Sequence, residues 1–386
     1  MTLISHIWPR ILNVSAKTNW FFIAVRTRDG DVAWGEASLI GREPELEVAT
    51  ARAAALCVGL SLDEARRRMT VNPQAPGGLA GSAVASAVQQ GLLGLTALRE
   101  GVPAHAVLGP LVRDAVAAYA NINRATIRRS PDGFVATALC AQRRGFEAFK
   151  AAPFDGVTPQ NCASPDGQRR VRHGIDCLLA LRDALGPAAR LMADCHWRFD
   201  EATAIQTLHA LAAARLHWFE CPLPETPAQW PALRRIRAAA RDHGVLLAAA
   251  ETQVGVAAFQ TLFDEALYDV VMPDVKYCGG PWEMLSIAER AAEAGVAFSP
   301  HNPTGPVCSL HSLHVAAVAA ECAMLEMQFD ESPLYDELVD SQNPVLVNGK
   351  LDVPSAPGRG LTLDEGVLDA HPYRPVPPGI ESLASA

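Results

Sequence analysis

The stretch LMADCHWRFD, residues 191–200, ends an apolar run with Asp194 and His196 two residues apart. Side chains two residues apart on a β-strand point to the same side of the sheet. If the apolar run is a strand, Asp194 and His196 face one cavity from successive depths. An acid and an imidazole placed together in this way indicate a catalytic or metal-binding site rather than plain core.

Seven further apolar runs resemble this one, and helical segments alternate with them. Most of the separations hold one helix, and the longest gap, from Lys150 to Asp194, contains the loop insertion DGVTPQNCASPDGQ. This alternation predicts a parallel sheet that closes into a (β/α) barrel. In chain order, the eight runs are VAAYANI, FEAFKAA, ARLMADCH, LHWFECP, LLAAAET, YDVVMPDV, VAFSPH and CAMLEMQF.

The chain before the barrel has a different pattern. Residues 3–25 contain two apolar runs around the polar stretch SAKTN, and an Asp-Gly turn leads into DVAWGEAS, as in an antiparallel meander. Two Ala- and Leu-rich segments, 44–68 and 81–100, have helical spacing. We therefore expect an α+β domain over 1–112, the barrel over 113–340, and a Pro- and turn-rich tail over 341–386 that packs back on the first domain.

Composition excludes several classes of protein. The 386 residues are 49% hydrophobic, enough for sizeable cores, and the net charge of -9 without a basic patch argues against a nucleic-acid partner. No run of 18 apolar residues and no signal-peptide pattern is present, so we expect a cytoplasmic protein without membrane segments. Nine scattered cysteines without a C-x-x-C motif predict reduced thiols rather than disulfides or zinc. A small-molecule partner is expected.

Ionisable residues stand at the end of every apolar run but the first. In a (β/α) barrel, catalytic groups lie at the carboxyl ends of the strands. Each residue taken alone has an alternative interpretation as a satisfied buried polar group, but the whole set is hard to explain as structure. The residues are Lys150, Asp194, His196, Glu220, Glu251, Asp274, Lys276, His301 and Glu326.

The types of these residues suggest two groups. Asp194, Glu220 and Glu251 come from successive strands, and ligands that are all oxygen favour Mg²⁺ over zinc. The alternative is that they cap helices or pair with arginines. Asp274 and His301, on adjacent strands, form a candidate dyad in which the carboxylate orients the imidazole. Its alternative is a purely structural hydrogen bond.

The order of these motifs resembles the enolase superfamily. Its mandelate racemase/muconate lactonizing enzyme family matches best, and within it the sugar acid dehydratases of the galactonate dehydratase type. The resemblance covers nearly the whole chain and implies a modified TIM barrel, (β/α)7β, with an N-terminal α+β capping domain. The stretches concerned are ADCH, WFECP, AAAET, MPDVKYCGG, SPHNPTGP and MLEMQ in the barrel, and VAWGEAS and GVPAHAVLG before it.

The resemblance also implies a chemistry. Asp194, Glu220 and Glu251 would bind one Mg²⁺ per subunit, which stabilises the enediolate formed when the proton α to a carboxylate is removed. Lys150 would supply a second cation at that carboxylate, and Glu326 would hydrogen-bond it. The physics agrees, because so weak a carbon acid ionises only where preorganised positive charge meets the developing oxyanion.

Departures from the family pattern select among its reactions. Racemases have Lys-x-Lys where this chain has Lys150-Ala151-Ala152, so a base for the second face is missing, unless Lys276 substitutes. Asp-x-His at residues 194–196 and HNPTGP at 301–306 resemble the dehydratases, in which the first His is the general acid and the second the base. His196 has the alternative of being a surface imidazole. We therefore predict a Mg²⁺-dependent dehydratase that converts an aldonate or aldarate into a 2-keto-3-deoxy acid.

Substrate contacts are predicted from loop positions. Lys17, Asn19 and Trp20 lie where the family has its mobile specificity loop, although exposed loop residues are often only solvated. Lys276 is expected either to neutralise the second carboxylate of an aldarate or merely to pair with Asp274. Two weaker candidates at the end of the first barrel strand are Asn121 and Asn123.

Other functions stay open at this point. The first is a racemase or epimerase of a 2-hydroxy acid or amino acid derivative, and the second a non-catalytic member that binds a sugar acid. A cycloisomerase is disfavoured, because the lactonising relatives have lysine in place of Asp274. Family habit and the exposed capping domain favour a homo-oligomer, from dimer to octamer.

Overall fold

A computed structural model describes residues 2–71, 77–339, 343–358 and 360–377. The chain begins with a three-stranded antiparallel sheet in the order β1-β2-β3. These strands are the meander expected from the sequence, and the face of β2 toward the helices is filled with buried apolar side chains. Their bounds are Ile4–Asn13 (β1), Asn19–Thr27 (β2) and Val32–Glu36 (β3).

Four helices complete this first unit. The helical stretch expected over 44–68 is two helices, because Gly59 takes a left-handed φ of +87° and Ser61 starts a new helix through a capping box with Glu64. The longest helix, α3, packs against β3 and β2. The helices are Glu43–Cys57 (α1), Leu62–Arg68 (α2), Gly78–Glu100 (α3) and Ala104–Leu108 (α4).

Eight parallel strands follow, one at each of the apolar runs. Hydrogen bonds pair β4 through β10 in chain order, and β11 pairs with β4. Backbone bonds from Ala323 to Phe298 (2.8 Å) and from Glu326 to Pro300 (3.3 Å) close the gap between β10 and β11. The strands are Ala115–Asn121 (β4), Ala148–Ala151 (β5), Arg190–Asp194 (β6), Trp218–Glu220 (β7), Leu246–Ala249 (β8), Val270–Val271 (β9), Ala297–Phe298 (β10) and Leu325–Gln328 (β11).

One helix joins each strand to the next, which makes the expected (β/α)7β barrel. Side chains of Ser130, Ser164 and Asp200 cap three of these helices, and proline stands in the first turn of several others. Two short 3-10 turns, 212–214 and 227–229, lie between them. The helices are Pro131–Arg143 (α5), Pro165–Leu185 (α6), Glu201–Ala210 (α7), Trp230–Asp242 (α8), Val256–Asp264 (α9), Pro281–Glu293 (α10) and Pro306–Val318 (α11).

Apolar side chains fill the barrel beneath its carboxyl end. Tyr119 packs edge-on against Trp218 with ring centroids 5.4 Å apart, and Met192, Met272 and Met324 lie in the same cluster. Each buried side chain of this size contributes roughly 1.5–3 kcal/mol relative to exposure. The inside of the barrel is therefore filled with apolar side chains at this level, and the ionisable side chains lie in the layer above it. All nine cysteines are free thiols.

The tail contacts both units. Its strand β13 pairs with the start of β4, while β11 pairs with the remainder. Farther on, Asn13 donates its backbone N–H to His371 (2.9 Å), so the chain also returns to β1. The boundaries at 112 and 340 stay predictions, and residue 340 lies outside the described part. A short helix, Leu334–Glu337 (α12), lies just before the tail, and the tail elements are Leu346–Val347 (β12), Lys350–Asp352 (β13) and Glu365–Ala370 (α13).

Membrane insertion has no support from these helices. Within the described ranges, none is both long and apolar enough to cross a bilayer. The expected cytoplasmic location stays a prediction.

Gly35 lies where β3 approaches α3 most closely. A Cβ at this position would stand 1.8 Å from the Ala87 carbonyl oxygen. We expect Gly35→Ala to lower the free energy of unfolding by at least about 2–3 kcal/mol, because helix and strand must separate. Urea unfolding followed by circular dichroism measures this change.

Gly109 provides the matched control. A Cβ there meets nothing within 4 Å, and its φ of 164° is ordinary extended backbone. Gly109→Ala should therefore stay within about 0.5 kcal/mol of the unsubstituted protein. Equal urea midpoints for the two variants would contradict the close approach of β3 to α3.

Candidate active site

Lys150 lies at the centre of the carboxyl end of the barrel and is fully buried. Its Nζ is 2.6 Å from Glu220 Oε1, 2.8 Å from Glu326 Oε1 and 3.9 Å from Asp194 Oδ2. Burial alone would lower the pKa of Lys150, but the surrounding carboxylates, Glu220 first, raise it well above its usual value. One ammonium is thus shared among three acids from three different strands.

The acids around Lys150 exceed the positive charge available to them. We call Asp194, Glu220 and Glu251 the carboxylate triad. Burial raises the pKa of Glu220 to about 8 even though Lys150 opposes the shift, and burial together with the charge of Asp194 raises the pKa of Glu251 to about 8. Oε1 of Glu251 is buried and has no hydrogen-bond partner. The triad therefore has room, electrostatically, for another cation.

The triad has the donor chemistry that Mg²⁺ prefers. Its ligands would all be oxygen, the choice of a hard divalent cation, and Asp194 lies beside Glu220 in the register of β6 and β7. His196 and Lys150 also contact oxygens of Asp194 and Glu220. As the side chains stand, no group of three His, Cys, Asp or Glu among the described residues is arranged to hold a metal ion. The fit is therefore one of donor chemistry.

Asp274 and His301 form the expected dyad. Asp274 Oδ2 lies 2.8 Å from His301 Nδ1 and accepts from Lys276 Nζ at 2.6 Å. Burial alone would raise the pKa of Asp274, but Lys276 and His301 hold it below its usual value. The other imidazole nitrogen, Nε2, is 3.4 Å from Glu251 Oε2 and 4.0 Å from Glu326 Oε2. The tautomer with its proton on Nδ1 therefore presents a lone pair toward the carboxylates.

His196 touches Asp194 directly. Its Nε2 is 2.8 Å from Asp194 Oδ2, and its backbone N–H donates to Oδ1 at 3.0 Å. The strand ends at Asp194, so the imidazole lies in the following turn instead of continuing the strand alternation. Its side chain is 30% exposed, so it is accessible from the mouth of the barrel.

Strained backbone surrounds the triad. His196, Trp197, Cys221 and Ala250 have left-handed φ values of 47°, 56°, 45° and 84°. Residues other than glycine rarely adopt this conformation, at a cost of about 1–3 kcal/mol each, and such strain is concentrated at functional sites. The turns that leave β6, β7 and β8 are therefore held in place by their surroundings.

A cavity lies between the first unit and the barrel mouth. Of the predicted substrate contacts, Asn19, Trp20 and Lys276 line this cavity, whereas Lys17 is exposed and does not; their role stays a prediction. The amide of Asn19 is engaged by Glu43 (3.1 Å) and by the Arg374 carbonyl (2.9 Å). The remaining lining residues are Thr18, Ser38, Leu39, Ile40, Arg124, Tyr277, Pro303 and Thr304.

Sequence reasoning missed Arg124 and its partner Glu331. Arg124 Nη1 donates to Glu331 Oε2 at 2.7 Å, and Thr18 Oγ1 donates to Oε1 at 2.5 Å. Glu331 thereby joins the loop of the first unit to the barrel loop that follows β4. The position of Arg124 just past a barrel strand was the available signal. The weaker candidates, Asn121 and Asn123, bond Glu326 and the Ala152 backbone, respectively.

Glu36 was also missed, although the motif VAWGEAS contains it. This fully buried carboxylate of β3 accepts from Thr304 Oγ1 (2.6 Å), Gly305 N (2.9 Å) and Cys308 N (3.1 Å). It thus satisfies the free N–H groups at the start of α11, where the helix dipole favours negative charge. The loop after His301 is therefore held by a residue from the first unit.

Family comparison agrees with this geometry. The model of the enolase C-terminal domain-like family matches residues 134–367, more than half of the chain. The chain belongs to the enolase superfamily. This enolase-superfamily chain is 26% identical over 368 residues to a D-galactonate dehydratase of Xanthomonas oryzae pv. oryzae (strain PXO99A), covering 93% of this chain and 92% of that protein. It is 24% identical over 363 residues to a D-xylonate dehydratase of Haloferax volcanii, covering 91% and 85%.

Solved structures share the fold of this enolase-superfamily chain. A mandelate racemase/muconate lactonizing enzyme from Jannaschia sp. CCS1 superposes with a TM-score of 0.84 at 23% identity, covering 96% of this chain and 98% of that one. A proposed L-alanine-DL-glutamate epimerase from Burkholderia xenovorans strain LB400, bound to magnesium and fumarate, gives 0.83 at 24% identity, covering 96% of each chain. The predicted superfamily and the capped TIM-barrel fold are confirmed.

Removing one member of the buried Asp274–Lys276 pair leaves an uncompensated charge. We expect Asp274→Asn to lower the free energy of unfolding by about 3–5 kcal/mol, because Lys276 is only 3% exposed. The double variant Asp274→Asn/Lys276→Met should regain part of that loss. Urea unfolding of the unsubstituted protein, of the single variants Asp274→Asn and Lys276→Met, and of the double variant measures the coupling.

A surface pair is the control. Arg290 and Glu293 are 2.8 Å apart but 54% and 66% exposed, so Glu293→Gln should cost no more than about 1 kcal/mol. If the losses in free energy of unfolding from Asp274→Asn and Lys276→Met simply add in the double variant, the two buried charges do not compensate each other as proposed.

Proposed function

We propose that this enolase-superfamily chain is a Mg²⁺-dependent dehydratase of a sugar acid that yields a 2-keto-3-deoxy acid. The observation behind the proposal is the position of two imidazoles at one cluster of buried acids. His301 lies just after β10 and places Nε2 near the carboxylates. His196 lies just after β6 and contacts Asp194, the last residue of that strand. A dehydratase needs one group to take a proton and another to give one, and this pair supplies both.

The carboxylate triad would hold the metal ion. Mg²⁺ bound there would polarise the substrate carboxylate and stabilise the negative charge that develops on it. Lys150 would contribute its ammonium to the same carboxylate, and Glu326 would hydrogen-bond it. The Burkholderia relative, whose structure contains magnesium, supports this choice of ion.

The two imidazoles would divide the proton transfers. His301 Nε2 takes the proton from Cα, while Asp274 keeps the ring oriented through Nδ1. The electrons of the broken C–H bond form the Cα–Cβ double bond as the bond from Cβ to its hydroxyl breaks. His196 protonates the leaving oxygen, so the group departs as water. The resulting enol tautomerises to the 2-keto-3-deoxy acid.

The placement of the lysines argues against two-base racemisation. A racemase needs a second base on the face opposite His301, where the family's second lysine is replaced by Ala152. Lys276 could have substituted, but its Nζ bonds the same Asp274 oxygen as His301 does. Both groups therefore lie on the same side of the substrate position, which supports elimination.

The charges of the cavity favour an aldonate over an aldarate. Its two cations, Lys276 and Arg124, are already matched by Asp274 and Glu331. A second substrate carboxylate would meet no net positive charge there, whereas hydroxyl groups can use both donors and acceptors. The names of the galactonate and xylonate dehydratase relatives, both acting on monoacids, support the same choice.

A substrate screen tests the proposed reaction. Purified protein with Mg²⁺ is incubated with a library of aldonates and aldarates, and 2-keto acids are trapped with semicarbazide. We expect signal on at least one aldonate, its loss on adding EDTA, and its return with excess Mg²⁺.

Other outcomes of the screen indicate other functions. Deuterium uptake at Cα from heavy water without a keto acid would favour an epimerase. Binding of an aldonate by calorimetry, with neither exchange nor product, would favour the non-catalytic member of the family. A keto-acid signal that persists after EDTA is added would contradict the proposed requirement for Mg²⁺.

Two substitutions separate the proton transfers. His301→Asn should abolish both Cα deuterium exchange and dehydration. His196→Asn should retain exchange but lose about 10²- to 10⁴-fold in dehydration rate, the usual contribution of a general acid. Exchange is read by NMR and dehydration by the keto-acid assay, with the exposed His6→Asn as the control. Full dehydration activity in His196→Asn would overturn its role as the acid.

A further inference from the structure

Glu225 lies in the loop that follows β7 and accepts hydrogen bonds from three barrel loops. Oε1 accepts from Trp197 Nε1 at 3.2 Å and from the Ala250 backbone N–H at 3.0 Å. Oε2 accepts from Gln253 Nε2 at 3.0 Å. The thiol of Cys221 also lies 3.8 Å from Oε1. A single carboxylate thus touches the turns after β6, β7 and β8.

Each of these turns contains one member of the carboxylate triad or directly follows it. Trp197 comes three residues after Asp194, Cys221 directly follows the second triad member, and Ala250 directly precedes the third. Glu225 has no contact of its own with the triad carboxylates among the described hydrogen bonds and ion pairs. It acts on the triad through the residues next to it, and the Cys221 thiol also lies 3.8 Å from Glu251 Oε2.

The three contacted turns are also the strained ones. Trp197, Cys221 and Ala250 all have left-handed φ values, 56°, 45° and 84°. Such backbone persists only where surrounding contacts over-determine it. Glu225 supplies a contact to all three positions at once, whereas the interstrand hydrogen bonds each join only two neighbouring strands.

We propose that Glu225 is a positioning residue that holds these turns so that the triad oxygens can converge on one divalent cation. Its two oxygens are taken by loop donors, so it is not itself a ligand. The inference rests on the proposed metal site and deepens it. Outer contacts of this kind orient metal ligands, and their loss typically weakens metal binding 10- to 100-fold.

Metal titration tests the role of Glu225 without relying on activity. Mn²⁺ binding to the whole purified protein is measured by isothermal calorimetry for the unsubstituted chain, Glu225→Gln and Trp197→Phe. We expect about 10- to 100-fold weaker binding in Glu225→Gln. The amide has one accepting oxygen, and its NH2 group, which only donates, replaces the second. Trp197→Phe removes a single donor and should weaken binding less. Circular dichroism verifies that each variant is folded.

Asp269→Asn is the matched control. Asp269 likewise accepts from a backbone N–H, that of Leu247 at 3.0 Å, and from the side chains of Arg237 and Arg241, but at the amino end of the strands. This variant should lose thermal stability without a change in Mn²⁺ affinity. If Glu225→Gln destabilises the protein yet binds Mn²⁺ within twofold of the unsubstituted chain, the positioning role is overturned and the metal site stands. If the unsubstituted chain binds no Mn²⁺, both proposals fall.

Discussion

Lys150 cannot neutralise the acids that surround it, and the arrangement of the barrel mouth follows from this shortage of positive charge. Glu220 and Glu326 both contact its ammonium, and Asp194 contacts the imidazole of His196. One carboxylate oxygen of Glu251 has no hydrogen-bond donor. Burying several carboxylates around one cation is expensive unless each is paired or hydrogen-bonded. Apolar side chains would be more stable at these buried positions, and the layer directly below consists of them. The carboxylates therefore indicate a functional requirement.

A carboxylate of each unit accepts hydrogen bonds from a loop of the other. Glu36 extends from β3 to the start of α11 and holds the loop after His301. Glu331 of the barrel reaches in the opposite direction, to Thr18. Thr18 and Thr304, the two residues bonded in this way, both line the cavity, so these connections fix its walls. The close approach of Gly35 to α3 matters for this reason, since the next residue is Glu36.

The sequence predicts the barrel and its charged strand ends well, because both depend on local regularities. Apolar runs at one-helix spacing specify the strands, and a carboxyl-terminal position brings Asp194, Glu220 and His301 to one end. Contacts between distant side chains have no such local signal. Glu36 bonds Thr304, which lies 268 residues away in the chain. The role proposed for Glu225 depends on its contacts with three separate turns, which the sequence around it does not indicate. The return of β13 to β4 likewise depends on a pairing between distant segments. The split at Gly59, by contrast, has a local signal in Gly59 itself and in the Ser61–Glu64 capping box.

His196 and Lys150 contact the same acids that the proposed function assigns to the metal ion. His196 Nε2 lies 2.8 Å from Asp194 Oδ2, and Lys150 Nζ lies 2.6 Å from Glu220 Oε1. In the proposed function, the imidazole would protonate a leaving hydroxyl and the ammonium would meet the substrate carboxylate. Both groups would therefore act in direct contact with the proposed metal ligands, so a substitution in the triad would disturb proton donation and substrate binding together with metal binding.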